Sequence, residues 1–187
     1  RDLNEYIARE ANKEDGCTGR FWEGRFKSQA LLDESAVLAC MAYVDLNPIR
    51  AKIEKTPETS KHTSIKKRIH AIKNQQPQPS VLMPFEGNPC ENMPKGIPYS
   101  LKDYCELVDT TGHCIRGDKA GHIDNTQSPI LERLGLDSAQ WLSLTTEFEK
   151  HFCYAAGAEQ MMNAFKRHTH HQRLRGMTKA KALLKRA

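Results

Sequence analysis

Apolar positions change period along this chain. From Asp2 to Asn12, Leu3, Tyr6, Ile7 and Ala11 recur near helical spacing, and Glu14-Asp15-Gly16 ends the run. Between Gly19 and Leu32 the period falls to two. Trp22, Gly24, Phe26, Ser28, Ala30 and Leu32 share one parity, while Glu23, Arg25, Lys27, Gln29 and Leu31 share the other. This alternation predicts a strand-like ribbon with a packable face carrying Trp22 and Phe26 and a polar, cationic face. Gly24 interrupts it and marks a bulge or a close backbone approach. Asp33-Glu34-Ser35 then supplies a helix start, and Val37, Cys40, Met41 and Val44 follow at i, i+3, i+4 and i+7, the stripe of an amphipathic helix. Asn47-Pro48 ends or resets that helix, because a residue before proline avoids the α region. Pro48 suits the first turn of a second short helix capped by Asn47. Thr63 to Ala71 is a further short, very basic helix.

Asn74 to Ser100 holds six of the nine prolines and reads as a linker or an extended wrapping segment. Leu101 to Val108, Pro129 to Leu134 and Ser138 to Phe152 read as helices of a second module, with Trp141, Leu142, Leu144 and Phe148 as its core. Ala158 to His168 is its last helix, and the tail is helical from Thr178. No internal repeat is present. The expected organisation is thus an N-terminal unit over 1–75, a Pro-rich linker over 76–100, a helical module over 101–170 and a basic tail over 171–187. The fold class is α+β and mostly helical.

Composition narrows the setting. The 187 residues hold no run near the ~18 apolar residues that a membrane span needs. No charged-then-apolar signal opens the sequence, so neither secretion nor membrane insertion is expected. The six cysteines are widely separated and none forms a Cys-x-x-Cys pair, which leaves a zinc ribbon without support and predicts free, mostly buried thiols in a reducing cytoplasm. The net charge of +5 is uneven: 14 Lys/Arg against 11 Asp/Glu over 1–75, 6 against 11 over 76–158, and 8 against 1 over 159–187. An acidic middle between basic ends offers two surfaces to a polyanion.

Candidate chemistry concentrates on Tyr43 and Asn47. Four residues apart, they lie one above the other on one helix face, at the flank of the Val37–Val44 stripe, where Ala36 and Ala39 leave room. A phenol one turn from an oxygen ligand, beside a cationic ribbon, suits nucleophilic attack on a phosphodiester. A phenol titrates near ~10, so a metal or cation must help it ionise. A hard divalent cation takes oxygen ligands such as the asparagine carbonyl and polarises a phosphoryl oxygen. The structural alternatives are a packed tyrosine with a wet hydroxyl and an asparagine that caps a turn.

Two motifs add to this. Gly19, Trp22, Arg25, Phe26 and Ser28 stand as Gly-x-x-Trp-x-x-Arg-Phe-x-Ser, and Tyr43, Val44, Asn47, Pro48, Arg50 and Ala51 stand as Tyr-Val-x-x-Asn-Pro-x-Arg-Ala. Together they resemble the HUH-type single-tyrosine transposases, in particular the REP-associated tyrosine transposases of bacteria, over roughly Tyr6 to Arg68. The resemblance implies a remnant of an antiparallel-sheet transposase domain followed by a helical module. It implies Tyr43 as nucleophile and Asn47 as the helix-borne ligand of Mg²⁺ or Mn²⁺. The implied reaction cuts single-stranded DNA near hairpins, leaves a 5′-phosphotyrosine and a free 3′-OH, and rejoins strands by reversal. The implied location is the bacterial cytoplasm at the nucleoid. A homodimer is one expectation for its assembly.

The family's other ligands form a His-hydrophobic-His pair on an upstream strand, and no histidine precedes His62 here. His168-Thr169-His170 has that spacing but follows the tyrosine in a basic run. The expectation is a C-terminal portion of such a transposase, with little activity alone. The missing initial Met agrees.

For DNA contact, Arg20, Arg25 and Lys27 reach phosphates from the ribbon, and Phe21 is the better candidate to stack on an unpaired base. Arg50 either holds the scissile phosphate or complements the helix dipole. Lys66, Lys67 and Arg68, with the basic tail, are generic phosphate binders that add affinity and salt dependence without sequence choice. The rival reading is a catalytically inactive or domesticated DNA-binding protein for structured single strands, and a third is a helical interaction module.

Overall fold

The computed structural model describes residues 2–24, 27–87, 96–116, 129–170 and 172–184. Helix dominates them, at 57% of the described residues. The elements run α1 (Asp2–Glu14), β1 (Ala30–Leu31), α2 (Glu34–Asp45), α3 (Asn47–Arg50), α4 (Ser64–Lys73), α5 (Leu101–Arg116), α6 (Pro129–Leu134), α7 (Ser138–His151), β2 (Ala155–Ala156), α8 (Glu159–His168) and α9 (Met177–Leu183).

α2 starts because Asp33 sits in extended backbone and its Oδ1 accepts the Ala36 N–H at 2.9 Å. Its buried face is Ala36, Leu38, Ala39, Ala42 and Asp45, not the expected Val37–Val44 stripe; Val44 is 56% exposed. The alanines decide this. Small side chains let two helices approach closely, and α2 makes its largest contact with α7. The room expected beside Ala36 and Ala39 is therefore occupied by protein.

α7 begins at a full capping box. Asp137 Oδ1 accepts the Gln140 N–H at 2.7 Å, and Gln140 Oε1 accepts the Asp137 N–H at 3.0 Å. Trp141, Leu144 and Phe148 are buried as their spacing predicts. The Trp141 indole N–H donates to Thr111 Oγ1 at 2.9 Å, which ties α7 to α5.

The expected ribbon does not form as a long strand. Ala30 and Leu31 alone pair, in parallel with Ala155 and Ala156, where the resemblance implied an antiparallel sheet. Period-two patterning needs a partner strand, and the described residues of this stretch, 19–24 and 27–29, find none. Trp22, on the packable parity, is 41% exposed, while Phe26 and Gly19-motif Arg25 lie outside the described residues. The short pair is locked by Asp33. Its Oδ2 accepts the Ala158 N–H while Oδ1 caps α2. Gly157 permits this approach: a Cβ there would stand 2.9 Å from Asp33 Oδ2 and 2.9 Å from Leu32 Cβ.

One hydrophobic core runs through both expected units. It joins Leu38 and Leu46, Ile49, Ile65, Tyr104, Trp141, Phe148, Met162 and Ala180. The described part of the proline-rich stretch wraps onto it. Phe85 bridges to Ile97, both are buried, and the Gln78 amide pairs with both backbone groups of Phe85. α1 contributes no buried residue. Cys17 and Cys153 are exposed and Cys40, Cys105 and Cys114 half-buried, all free, so the thiols are less buried than expected; Cys90 lies outside the described residues. No helix among the described residues is long and apolar enough to cross a membrane.

Candidate functional site

α2 ends at Asp45, and Leu46, at φ −90° and ψ −1°, both closes α2 and opens α3. Pro48 sits in the first turn of α3, where its missing N–H is not needed. Asn47 is the first residue of α3 and makes no side-chain cap. Its side-chain oxygen accepts from Arg50 Nη2 at 2.9 Å instead.

Arg50 is the hub of the site. The same Nη2 donates to the Tyr43 carbonyl at 3.1 Å, and Nη1 donates to the Thr146 carbonyl at 2.9 Å, beside a break in α7 at Glu147 (φ −128°, ψ 23°). Its guanidinium carbon lies 3.6 Å from the centroid of the Tyr43 ring. A cation at that distance over an aromatic face is held by the ring quadrupole. Arg50 Nε is buried without a hydrogen-bond partner. Of its two expected roles, phosphate holder or dipole partner, the geometry adds a third: it clamps Tyr43, Asn47 and α7 together.

Tyr43 is half-buried. The other face of its environment is Phe148, with ring centroids 6.0 Å apart. Among the described residues its hydroxyl has no protein hydrogen-bond partner, and it is not a sealed, orphaned oxygen. The phenol is thus anchored by its ring, and among the described residues no protein group takes its oxygen.

Asn47 Oδ1 faces a guanidinium, which repels a metal at that oxygen. Among the described residues no three His, Cys, Asp or Glu side chains converge. His168 and His170 are exposed at the end of α8.

The expected DNA contacts divide. Arg20, Phe21 and Lys27 are exposed, and Phe21 packs edge-on against Trp22 at 4.8 Å, whose indole N–H donates to the Asn4 carbonyl at 2.8 Å. Gly19 and Trp22 tie this stretch to α1, and among the described residues no hydrogen bond, ion pair or ring contact joins it to Tyr43 or Asn47. Arg25 lies outside the described residues. Lys67 is exposed and Lys66 half-buried on α4. Arg68 is instead buried, which takes it off the basic face expected of it. Its Nη2 donates to the Met83 carbonyl at 3.0 Å, and its guanidinium lies 4.7 Å over the Phe85 ring. The α4 stripe Ile65, Arg68 and Ala71 faces inward, so the last of the three consecutive basic positions is buried while Lys66 and Lys67 are not.

Sequence reasoning gave Asp45 no role. It is buried between Tyr43 and Asn47 in sequence but on the opposite helix face. It accepts from Ser64 Oγ at 2.8 Å, the Ile65 N–H at 3.1 Å and Tyr104 Oη at 2.9 Å, joining α2, α4 and α5. Burial pushes its carboxyl above the usual range, against hydrogen bonds and the Arg68 charge that pull it down. Burial likewise pushes the Tyr104 phenol well up and the Arg68 guanidinium down. The signal was available: Leu38, Ala42 and Asp45 stand at i, i+4 and i+7, so a carboxylate continues the buried stripe.

No protein-family model matches the chain, and comparison with curated proteins and with solved structures gives no match either.

Proposed function

We propose that this chain carries the nucleophile of a single-tyrosine DNA strand transferase, of the kind its two motifs resemble. The observation that carries the reading is the Tyr43 hydroxyl, which among the described residues has no protein hydrogen-bond partner while its ring is held by Arg50 and Phe148. In the proposed step, Tyr43 Oη attacks a DNA phosphorus, the bond from phosphorus to O3′ breaks, and the chain end leaves as a 3′-OH. The phenolic proton passes to solvent and the leaving oxygen takes one back, so a phosphodiester is exchanged for a phosphotyrosyl ester and the step reverses. Arg50 places a fixed positive charge against the ring on which negative charge develops. No metal is routed through Asn47, because its oxygen is engaged by Arg50.

That same engagement favours a second reading, a DNA-binding protein without covalent chemistry. A labelled hairpin with a single-stranded flank separates the two. The first reading expects a denaturation-resistant adduct in low yield, lost in Tyr43→Phe. Salt-sensitive binding with no adduct supports the second. No binding at low salt removes both.

A further inference from the structure

α4 forms one wall of an open groove of about 620 Å³. Lys61, Lys66 and Lys67 stand along it, with His62 and His70. The chain folds back after α4, so that Pro77 and Pro79 form the facing side over the buried Ala71. No carboxylate lines the groove. Among the described residues none of the three lysines has an ion-pair partner, whereas Lys73, one turn beyond Ile69, is taken by Glu58 at 3.6 Å. The groove therefore has an apolar interior and an uncompensated cationic rim. The chain also enters α4 through His62 at φ 63°, a left-handed conformation that a non-glycine residue adopts at a cost of order ~1 kcal/mol or more.

We infer that this groove binds single-stranded DNA, with phosphates on Lys61, Lys66 and Lys67 and an unpaired base against the Pro77–Pro79 side. Charge complementarity selects a polyanion. The apolar interior selects an unpaired strand over a duplex, because duplex bases are stacked inward and only a splayed base offers a π-face. Pro77, Pro79 and Ala71 supply an apolar surface against which a base of any identity can lie. The inference rests on the DNA-directed reading above for the identity of its polyanion, but it does not require Tyr43 to react.

The test measures fluorescence anisotropy of an oligothymidylate of about 12 nucleotides, within the site size of one single-strand-binding domain. The full chain is compared with Lys61→Gln/Lys66→Gln/Lys67→Gln and with a control of equal charge change, Lys13→Gln/Lys102→Gln/Lys150→Gln. The groove variant loses about ten-fold or more in affinity at ~50 mM salt, and its log–log salt slope falls by about 2, near 0.7 per lost phosphate contact. The control keeps at least half of its affinity. An abasic strand of the same charge binds about five-fold or more weakly to the full chain, and duplex binds more weakly still. Circular dichroism checks that both variants fold; five of the six lysines are exposed and Lys66 is half-buried. Equal losses in the two variants overturn the groove as a site. Equal binding of abasic strand, duplex and oligothymidylate overturns the single-strand assignment. An adduct on Tyr43 with an unaffected groove variant sinks this inference alone, and groove-dependent binding without an adduct sinks the strand-transfer reading alone.

Discussion

The Arg50 guanidinium lies face-on over the Tyr43 ring at 3.6 Å while one of its nitrogens holds both the Tyr43 carbonyl and the Asn47 side chain. One arginine therefore fixes the orientation of the phenol and occupies the amide one turn on. Arg50→Ala removes the stacked cation and leaves three carbonyl oxygens to water. The expected loss is about 1–3 kcal/mol of unfolding free energy, by urea denaturation. Arg50→Lys keeps charge without the planar fork and recovers less than half of that loss. Full recovery by lysine would show that the clamp geometry is irrelevant.

Tyr43→Phe separates chemistry from packing. Among the described residues the hydroxyl has no protein partner, while the ring contacts with Arg50 and Phe148 survive the substitution. Stability is expected to change by no more than ~0.5 kcal/mol, the range of surface substitutions, with adduct formation abolished. Tyr43→Ala, which removes the ring, costs about 2 kcal/mol or more. A large loss in the phenylalanine variant would mean that the oxygen is structural.

Asp45 gives a pH dependence of definite sign. Its folded pKa is raised by burial, so folding favours the protonated form. Its contribution is fully present below the unfolded carboxyl pKa of ~3.9 and is lost as pH rises through the higher folded value. Asp45→Asn cannot titrate. The stability of the natural chain minus that of Asp45→Asn should therefore fall as pH rises above about 4, and denaturant melts at a series of pH values read it directly. A difference that rises over this window would reverse the assignment. Asp45→Ala, which strands Ser64, Ile65 N–H and Tyr104 without their acceptor, is expected to cost about 3 kcal/mol.

Gly157→Ala tests the closure at Asp33. The new Cβ meets Asp33 Oδ2 and Leu32 Cβ, both at 2.9 Å and both held in place by the strand pair and the α2 cap. Either the pair separates or the cap loosens, at a cost of about 1–3 kcal/mol by thermal melting. Gly24→Ala, where nothing stands within 4 Å of the new Cβ, serves as the neutral comparison.

What could be read from the chain was local. The extent of α7 followed from the Trp141–Phe148 spacing, because helical periodicity acts within one or two turns, while the Asp137–Gln140 capping box that starts it emerged only in the structure. α8 and α9 were placed within a residue of their expected starts. The span of α2 was legible but its buried face was not, since alanine scores weakly as a hydrophobe yet packs closest. The ribbon misled because alternation says nothing of a partner, and the partner of β1 lies in the last quarter of the sequence. At the site, the shared face of Tyr43 and Asn47 was visible in their spacing. The Arg50 clamp depends on Thr146, 96 residues away, and no pattern near Arg50 announces it.

The parallel pair of Ala30–Leu31 with Ala155–Ala156 also governs how the protein is made. Its two halves are separated by about 125 positions, as are Asp33 and the Ala158 amide. Translation at roughly 5–20 residues per second leaves α2 waiting on the order of ten seconds for α7 and β2 to leave the ribosome. Throughout that interval the α2 face built from Leu38, Ala39 and Ala42 has nothing to cover it. Closure of this pair is therefore a long-range step, expected to come late in folding because a long loop must be closed first.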